Sequence, residues 1–156
     1  MRANRCAAVA PPHDTAHMII DSEMLAVRDG LQNLLASDLM SGLTKDSLST
    51  AEVVLAEVLN NIVEHAYALF PGKIVVSISR RDNRLQCDIS DVGLPMPDAE
   101  PPPGILKDVQ NTADLPEGGF GWFLIRSLSQ NLSYRRRVNA NLLSFSLSAD
   151  DRSETG

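Results

Sequence analysis

Two hairpin patterns dominate the sequence and restrict the folds that it can form. Residues 74–78 are rich in β-branched side chains, and residues 85–90 alternate apolar and polar ones, with a polar turn between the two segments. Residues 132–138 and 142–148 repeat this arrangement near the end of the chain. Strands joined by tight turns pair in antiparallel fashion, so much of the sheet is predicted to be antiparallel.

Helical patterns lie between these hairpins and before them. Residues 24–35 carry apolar side chains at helical spacing, as does a longer segment that starts near Ser49. Ser49 and Glu52 fit a capping box, which predicts that the second helix begins there. A third, apolar helix is predicted from Trp122 onward.

The order of the elements predicts the fold class. With a short strand predicted at 15–20, the order is strand, helix, helix, hairpin, helix, hairpin, which indicates an α+β two-layer sandwich. The sheet is predicted to be mixed and mostly antiparallel, with about three helices on one face. Residues 92–117 contain six prolines and are predicted to be a lid within a domain at 15–148. Residues 1–14 are expected to be a flexible arm and residues 149–156 a flexible tail.

The charge balance argues against several classes of partner. The formal net charge is −6, which gives no general attraction to nucleic acid or to an anionic membrane surface. No apolar run reaches the roughly 20 residues of a membrane span, and Cys6 with Cys87 makes no disulfide framework. We therefore expect a cytoplasmic protein without a membrane or nucleic-acid partner. Three consecutive arginines at 135–137 are predicted to protect an edge strand or, alternatively, to contact an acidic partner.

A row of polar residues follows the second helix. Glu57, Asn61 and His65 are four residues apart, so they lie on one side of the helix beside its apolar face. A carboxylate at such a border can act as a general base, and an amide oxygen one turn further on suits Mg²⁺. The alternative interpretation is an ordinary solvated helix flank.

Asp91 ends the strand predicted at 85–90 and is followed by Gly93. It has the parity of the apolar residues of that strand, so its carboxylate is predicted to face the helices. A carboxylate in such a crevice needs hydrogen-bond donors, and an exocyclic amine such as that of adenine is one. Gly93 permits close backbone approach or a positive φ. The alternative is a simple Asp-x-Gly turn.

Glycines precede the third helix. Gly118, Gly119 and Gly121 lead into its N-terminus, where free N–H groups and the positive end of the helix dipole suit phosphates. No Gly-Lys-Ser/Thr follows, so this is not a P-loop. The alternative is a flexible hinge.

Taken together, these segments resemble the motifs of a known family. Residues 57–67 (EVLNNIVEHAY) look like the N box, residues 91–95 (DVGLP) like the first glycine box, and residues 118–125 (GGFGWFLI) like the second. The family is the ATP-binding domain shared by sensor histidine kinases, gyrase-type ATPases and bacterial anti-sigma-factor serine/threonine kinases. The form of the motifs resembles the anti-sigma kinase branch. The resemblance implies the Bergerat-type ATP-binding fold.

The resemblance also implies roles for individual residues. Glu57 would be the catalytic general base for a target serine, Asn61 would bind Mg²⁺, and Asp91 would accept a hydrogen bond from the adenine amine. Contacts with ATP or ADP would come from all three motifs: Asn61, His65, Asp91, Gly93, Gly118, Gly119, Phe120 and Gly121.

The partners implied by the resemblance are proteins. A kinase of this branch sequesters a sigma factor and phosphorylates an anti-anti-sigma (STAS-domain) protein on serine, in a partner-switching system, and is usually a homodimer. One residue departs from the pattern: Glu117 stands where some members carry a basic residue, and Lys107 is the nearest cation of the predicted lid. The alternative is therefore a nucleotide-binding module that sequesters a sigma factor without phosphotransfer.

Overall fold

The protein forms two layers, a five-stranded sheet and three helices, in a computed structural model that describes residues 15–104 and 119–152. A π turn follows the second helix at Ile62–Ala66, and 3₁₀ turns lie at Asp38–Met40 and Pro97–Ala99. The main elements, in chain order, are β1 (Thr15–Asp21), α1 (Met24–Leu35), α2 (Lys45–Asn61), β2 (Lys73–Arg81), β3 (Arg84–Asp91), α3 (Gly119–Leu128), β4 (Gln130–Arg137) and β5 (Ala140–Ser148).

The strands form a single sheet in the order β1-β2-β3-β5-β4. The predicted α+β sandwich is confirmed, and every strand pair in the described part of the chain is antiparallel rather than mixed. No parallel pair forms there because β5 lies between β3 and β4, which run in the same direction. β4 is an edge strand, as predicted for residues 135–137; Arg135 and Arg137 are exposed, whereas Arg136 is half-buried.

The core lies between the helices and one face of the sheet. Alternate residues of β2, β3 and β5 face it, and α2 covers them with the apolar side of its helix. Its largest fully buried side chains include Phe145, Leu43, Leu55, Leu59, Ile74, Ile78, Leu85, Ile89 and Ile125.

The N-cap of helix α2 lies five residues before the predicted cap at Ser49. Its N-cap is Thr44, whose hydroxyl accepts a hydrogen bond from the Ser47 N–H at 3.2 Å. Leu43 is completely buried, and with Leu48 it occupies the two positions of a hydrophobic staple around that cap. The Ser49 prediction was wrong because Thr44 caps the helix equally well locally and is the residue beside the buried leucine.

The second helix changes geometry before it ends. At Ile62–Ala66 the chain forms a π turn, and the Tyr67 N–H donates to the Ile62 carbonyl at 3.0 Å, five residues back. Such turns insert one extra residue and recur at functional sites. Here the turn leads directly into the residues that contact the end of β3.

The predicted lid, arm and tail are only partly covered by the structure. Of the predicted lid, residues 92–104 are described and 105–118 lie outside the described residues, as do the predicted arm at 1–14 and residues 153–156. Residues 149–152, expected in the tail, contact the start of α2: the Asp150 N–H donates to the Ser47 hydroxyl. In the described ranges, no helix combines the length and apolarity needed to cross a bilayer.

Candidate functional site

A cavity of about 530 Å³ opens between α2 and the end of the sheet. Its walls are mostly apolar, with polar groups at two places. Helix α2 and its π turn form one wall, β5 and the segment after β3 form the other, and Trp122 of α3 lies at the side. A concave apolar pocket of this size with a few converging polar groups is typical of small-molecule sites.

Asp91 is the polar group of the sheet wall. It is 6% exposed and lies on the core side of β3, as its parity predicted. Its Oδ1 accepts hydrogen bonds from the Asn141 amide (2.7 Å) and the Gly93 N–H (2.9 Å), and its Oδ2 accepts none within the described residues. Burial raises the pKa of Asp91, while Asn141, Gly93 and the charge of Arg136 oppose this rise. The free oxygen can accept a bond from a ligand donor.

Gly93 lies so close to the backbone of Ala66 that no side chain fits at this position. A Cβ at this position would overlap the Ala66 carbonyl oxygen and lie 2.6 Å from its carbon. The next residue, Leu94, donates its N–H to the same carbonyl at 2.7 Å. The missing side chain therefore lets the end of β3 contact the end of the π turn, and this contact fixes one wall of the cavity.

Tyr67 adds a second contact between the end of the π turn and the end of β3. Its hydroxyl donates to the Lys73 carbonyl and accepts from the Val92 N–H at 3.0 Å. Burial, opposed by the Val92 hydrogen bond and assisted by the nearby Asp91 charge, raises the pKa of Tyr67. The neutral hydroxyl can therefore keep both roles, donor and acceptor.

Glu57, Asn61 and Gly121 meet where α2 crosses the start of α3. A Cβ on Gly121 would lie 2.5 Å from Glu57 Oε2 and 3.6 Å from Asn61 Nδ2. Asn61 Nδ2 is buried and has no hydrogen-bond partner among residues 15–104 and 119–152, although Asn61 lines the cavity. A buried amide without a partner is rare in proteins, and a ligand acceptor in the cavity would satisfy it.

The remaining predicted residues lie around this centre. His65 lines the cavity with an exposed side chain. Gly119 begins α3, three residues before the predicted start, so the N–H groups of its first turn have no partner within the helix. Phe120 is 53% exposed and is not among the described lining residues, and Gly118 lies outside the described residues.

Three site residues escaped the sequence prediction: Asn141, Tyr134 and Arg136. Asn141 is 4% exposed and shares the inward parity of the buried residues of β5. A polar residue at an inward position is a signal that could have been read from the sequence. Arg136 was considered only as part of an exposed run, although the alternation of β4 turns it inward.

The geometry fits a nucleotide. The free Asp91 oxygen suits a base amine, the apolar walls suit a flat ring, and the Asn61 amide lines the same cavity. No group of three His, Cys, Asp or Glu in the described ranges could hold a metal ion. Asn61 stays the proposed Mg²⁺ ligand, together with phosphate oxygens and water, because this ion takes few protein ligands.

A comparison with protein families matches residues 21–147 to the family described as the Histidine kinase-like ATPase domain. The chain belongs to this family.

Curated relatives include the serine-protein kinases RsbW of Bacillus cereus (strain AH820), Bacillus anthracis and Bacillus thuringiensis (strain Al Hakam). Each is 29% identical over 96 residues, which cover 58% of this chain and 58% of the relative. The match thus spans less than two thirds of their length. Among solved structures, the histidine kinase domain from the Erythrobacter litoralis EL346 blue-light activated histidine kinase aligns with a TM-score of 0.49 at 14% identity, covering 81% of this chain and 60% of that one.

Proposed function

We propose that the protein is an ATP-dependent protein serine kinase that also acts as an anti-sigma factor. Its phosphate acceptor would be an anti-anti-sigma protein with a STAS domain, and the sequestered partner a sigma factor. The curated relatives are serine-protein kinases, which supports the reaction class. The resemblance of the three motifs to the anti-sigma kinase branch supports the partners.

The observation that carries the proposal is the meeting of Glu57, Asn61 and Gly121 beside the cavity that Asp91 closes. Asp91 and Asn61 both line this cavity, which supports one site for the base and the phosphate tail of a nucleotide. In this arrangement Asp91 would select the base and the apolar walls would exclude water from it.

The proposed phosphate transfer would take place beside Glu57 and the first turn of α3. In the proposed step the γ-phosphoryl group moves from ATP to the hydroxyl oxygen of the partner serine, ADP leaves, and the serine proton passes to Glu57. Because the transition state demands mainly positioning and charge neutralisation, Glu57 must be held beside the first turn of α3. Gly121 permits this approach.

One observation favours a second candidate, a module that binds nucleotide and a sigma factor without phosphotransfer. Among the described residues that line the cavity there is no lysine or arginine to neutralise the transferred phosphate. Glu117 and Lys107, the two residues that raise this question in the sequence, lie outside the described ranges. A kinase without such a cation would transfer phosphate slowly but bind nucleotide normally.

Transfer of labelled phosphate from ATP to the anti-anti-sigma partner tests the proposal. The wild-type protein should produce phosphoserine, and Glu57→Gln should abolish the product while ADP affinity stays within about threefold. Glu52→Gln, an exposed carboxylate on the same helix, is the matched control and should leave transfer unchanged.

The two candidates give different results in this assay. Capture of a sigma factor with ADP binding but no phosphoserine would favour the binding module. Absence of ADP binding to the wild-type protein would contradict both.

A further inference from the structure

A row of polar residues crosses three neighbouring strands behind the candidate base pocket. Asp91 of β3 pairs with Asn141 of β5, and Asn141 pairs with Arg136 of β4. Asn141 is 4% exposed and Asp91 is 6% exposed, so both lie in the core layer. Tyr134 lies two residues before Arg136, on the same side of β4.

The hydrogen bonds fix which way the Asn141 amide faces. Its Oδ1 accepts from the Tyr134 hydroxyl (2.5 Å) and from Arg136 Nη1 (2.8 Å). A guanidinium group can only donate, so the amide oxygen must face Arg136. The Tyr134 oxygen also accepts the Met96 N–H at 3.0 Å, which directs its own proton to Asn141.

The amide nitrogen of Asn141 therefore faces Asp91 and the segment that follows β3. It donates to Asp91 Oδ1 (2.7 Å) and to the Leu94 carbonyl (2.9 Å). Because the Gly93 N–H also donates to Oδ1, that oxygen is occupied twice, and Oδ2 remains as the acceptor for a ligand. Arg136 additionally donates to the Gly93 carbonyl at 2.8 Å, which ties the same loop to β4.

The protonation state of Asp91 decides what this acceptor recognises. An ionised carboxylate accepts a bond from the 6-amino group of a purine, and it repels the oxygen of a 6-oxo purine. A protonated carboxyl can donate, so it would tolerate the 6-oxo group. We infer that Asn141 and Arg136 are positioning residues that keep Asp91 an ionised acceptor, so that the pocket prefers 6-amino over 6-oxo purines. This inference rests on the proposed nucleotide site and deepens it.

The charges around Asp91 support the role of Arg136. Among residues 15–104 and 119–152, the titratable groups that face the pocket or this carboxyl are His65 and Tyr67 from the helix end, and Tyr134 and Arg136 from β4. Burial raises the pKa of Asp91, and the Arg136 charge is among the interactions that lower it. Removing that charge should raise the pKa of Asp91 further.

Titration of ADP and IDP by calorimetry between about pH 5 and pH 8 tests this role. For Arg136→Met we expect ADP affinity to fall by about tenfold near neutral pH, the preference for ADP over IDP to shrink, and the acid loss of ADP binding to begin at a higher pH. Arg136→Lys keeps the charge and should restore most of the acid profile. Arg135→Met, an exposed neighbour on the opposite face, is the matched control and should bind as the wild type does.

A second measurement does not depend on nucleotide. The ¹³C signal of the Asp91 carboxyl, followed with pH in the nucleotide-free protein, should titrate at a higher pH in Arg136→Met than in the wild type or Arg135→Met. An unchanged titration, or an equal change in the Arg135 variant, would overturn the inference. If the wild-type protein binds no ADP, the proposed function fails, and this signal still decides the role of Arg136.

Discussion

Glu57 and Gly121 approach each other so closely that a methyl group on Gly121 would lie 2.5 Å from the Glu57 carboxylate oxygen Oε2. The two residues belong to α2 and α3, which are 64 residues apart along the chain at this contact. The position of the candidate base therefore depends on the absence of a side chain on another helix.

Gly121→Ala should displace the Glu57 carboxylate and slow phosphate transfer. A shift of about 1 Å at a reacting group can cost roughly a hundredfold in rate, so we expect a loss of ten- to a hundredfold. ADP affinity should change much less, because the carboxylate is the movable end of a long side chain. Ser127→Ala, at an exposed position of the same helix, is the control, and a full transfer rate in Gly121→Ala would show that the contact is unimportant.

Trp122 should report nucleotide binding. It is 5% exposed and lines the cavity, so Mg-ADP should change its fluorescence, and Asp91→Ala should remove the response at the same ligand concentration. Asp88→Ala provides the control, because Asp88 lies on the same strand but on the opposite face, where it accepts a bond from Ser144. A flat titration of the wild-type protein would contradict the pocket.

Asp91→Asn should stabilise the fold while it weakens ADP binding. Burial raises the pKa of Asp91, so the folded protein holds this proton to a higher pH than the unfolded chain does. The contribution of this group to stability is therefore lost as pH rises from the unfolded value, about 3.9, through the folded value, and it stays unfavourable above that window. The neutral amide avoids this cost.

Urea unfolding of Asp91→Asn and the wild type at several pH values measures the effect. The variant should be the more stable protein near neutral pH, and the difference should shrink below about pH 4. A difference that grows in acid would show that the pKa of Asp91 is lowered in the folded state.

A pair of alanine substitutions tests the start of α2. Thr44→Ala removes the side-chain cap and should lower the free energy of unfolding by about 1 kcal/mol. Ser49→Ala lies in the helix interior on the exposed side and should be neutral or slightly stabilising. Urea denaturation of both variants measures this, and the opposite ranking would mean that the helix starts at Ser49.

The sequence predicted those features that depend on local periodicity. The inward direction of Asp91 followed from its strand parity, and the position of Asn61 one turn after Glu57 followed from helical spacing, whereas His65 lies in the π turn. The start of α2 did not follow, since Thr44 and Ser49 are both residue types that cap helices and packing around Leu43 selects Thr44.

The features that were missed involve distant partners or irregular geometry. Asn141 is 50 residues from Asp91 along the chain, and no local pattern links the two. The inward position of Arg136 was missed because Arg135 and Arg137 are exposed, and three consecutive arginines are typical of a solvated surface. The π turn at Ile62–Ala66 has no residue signature, because it differs from an α-helix only in which carbonyl each N–H contacts.

The π turn at Ile62–Ala66 restricts insertions and deletions in this segment. Loss of one residue within 62–66 would let an ordinary α-helix form there and would rotate Tyr67 by about 100° around the helix axis. Its hydroxyl would then leave the Lys73 carbonyl and the Val92 N–H. Over evolution, the number of residues between Asn61 and Tyr67 should therefore vary less than their identities do.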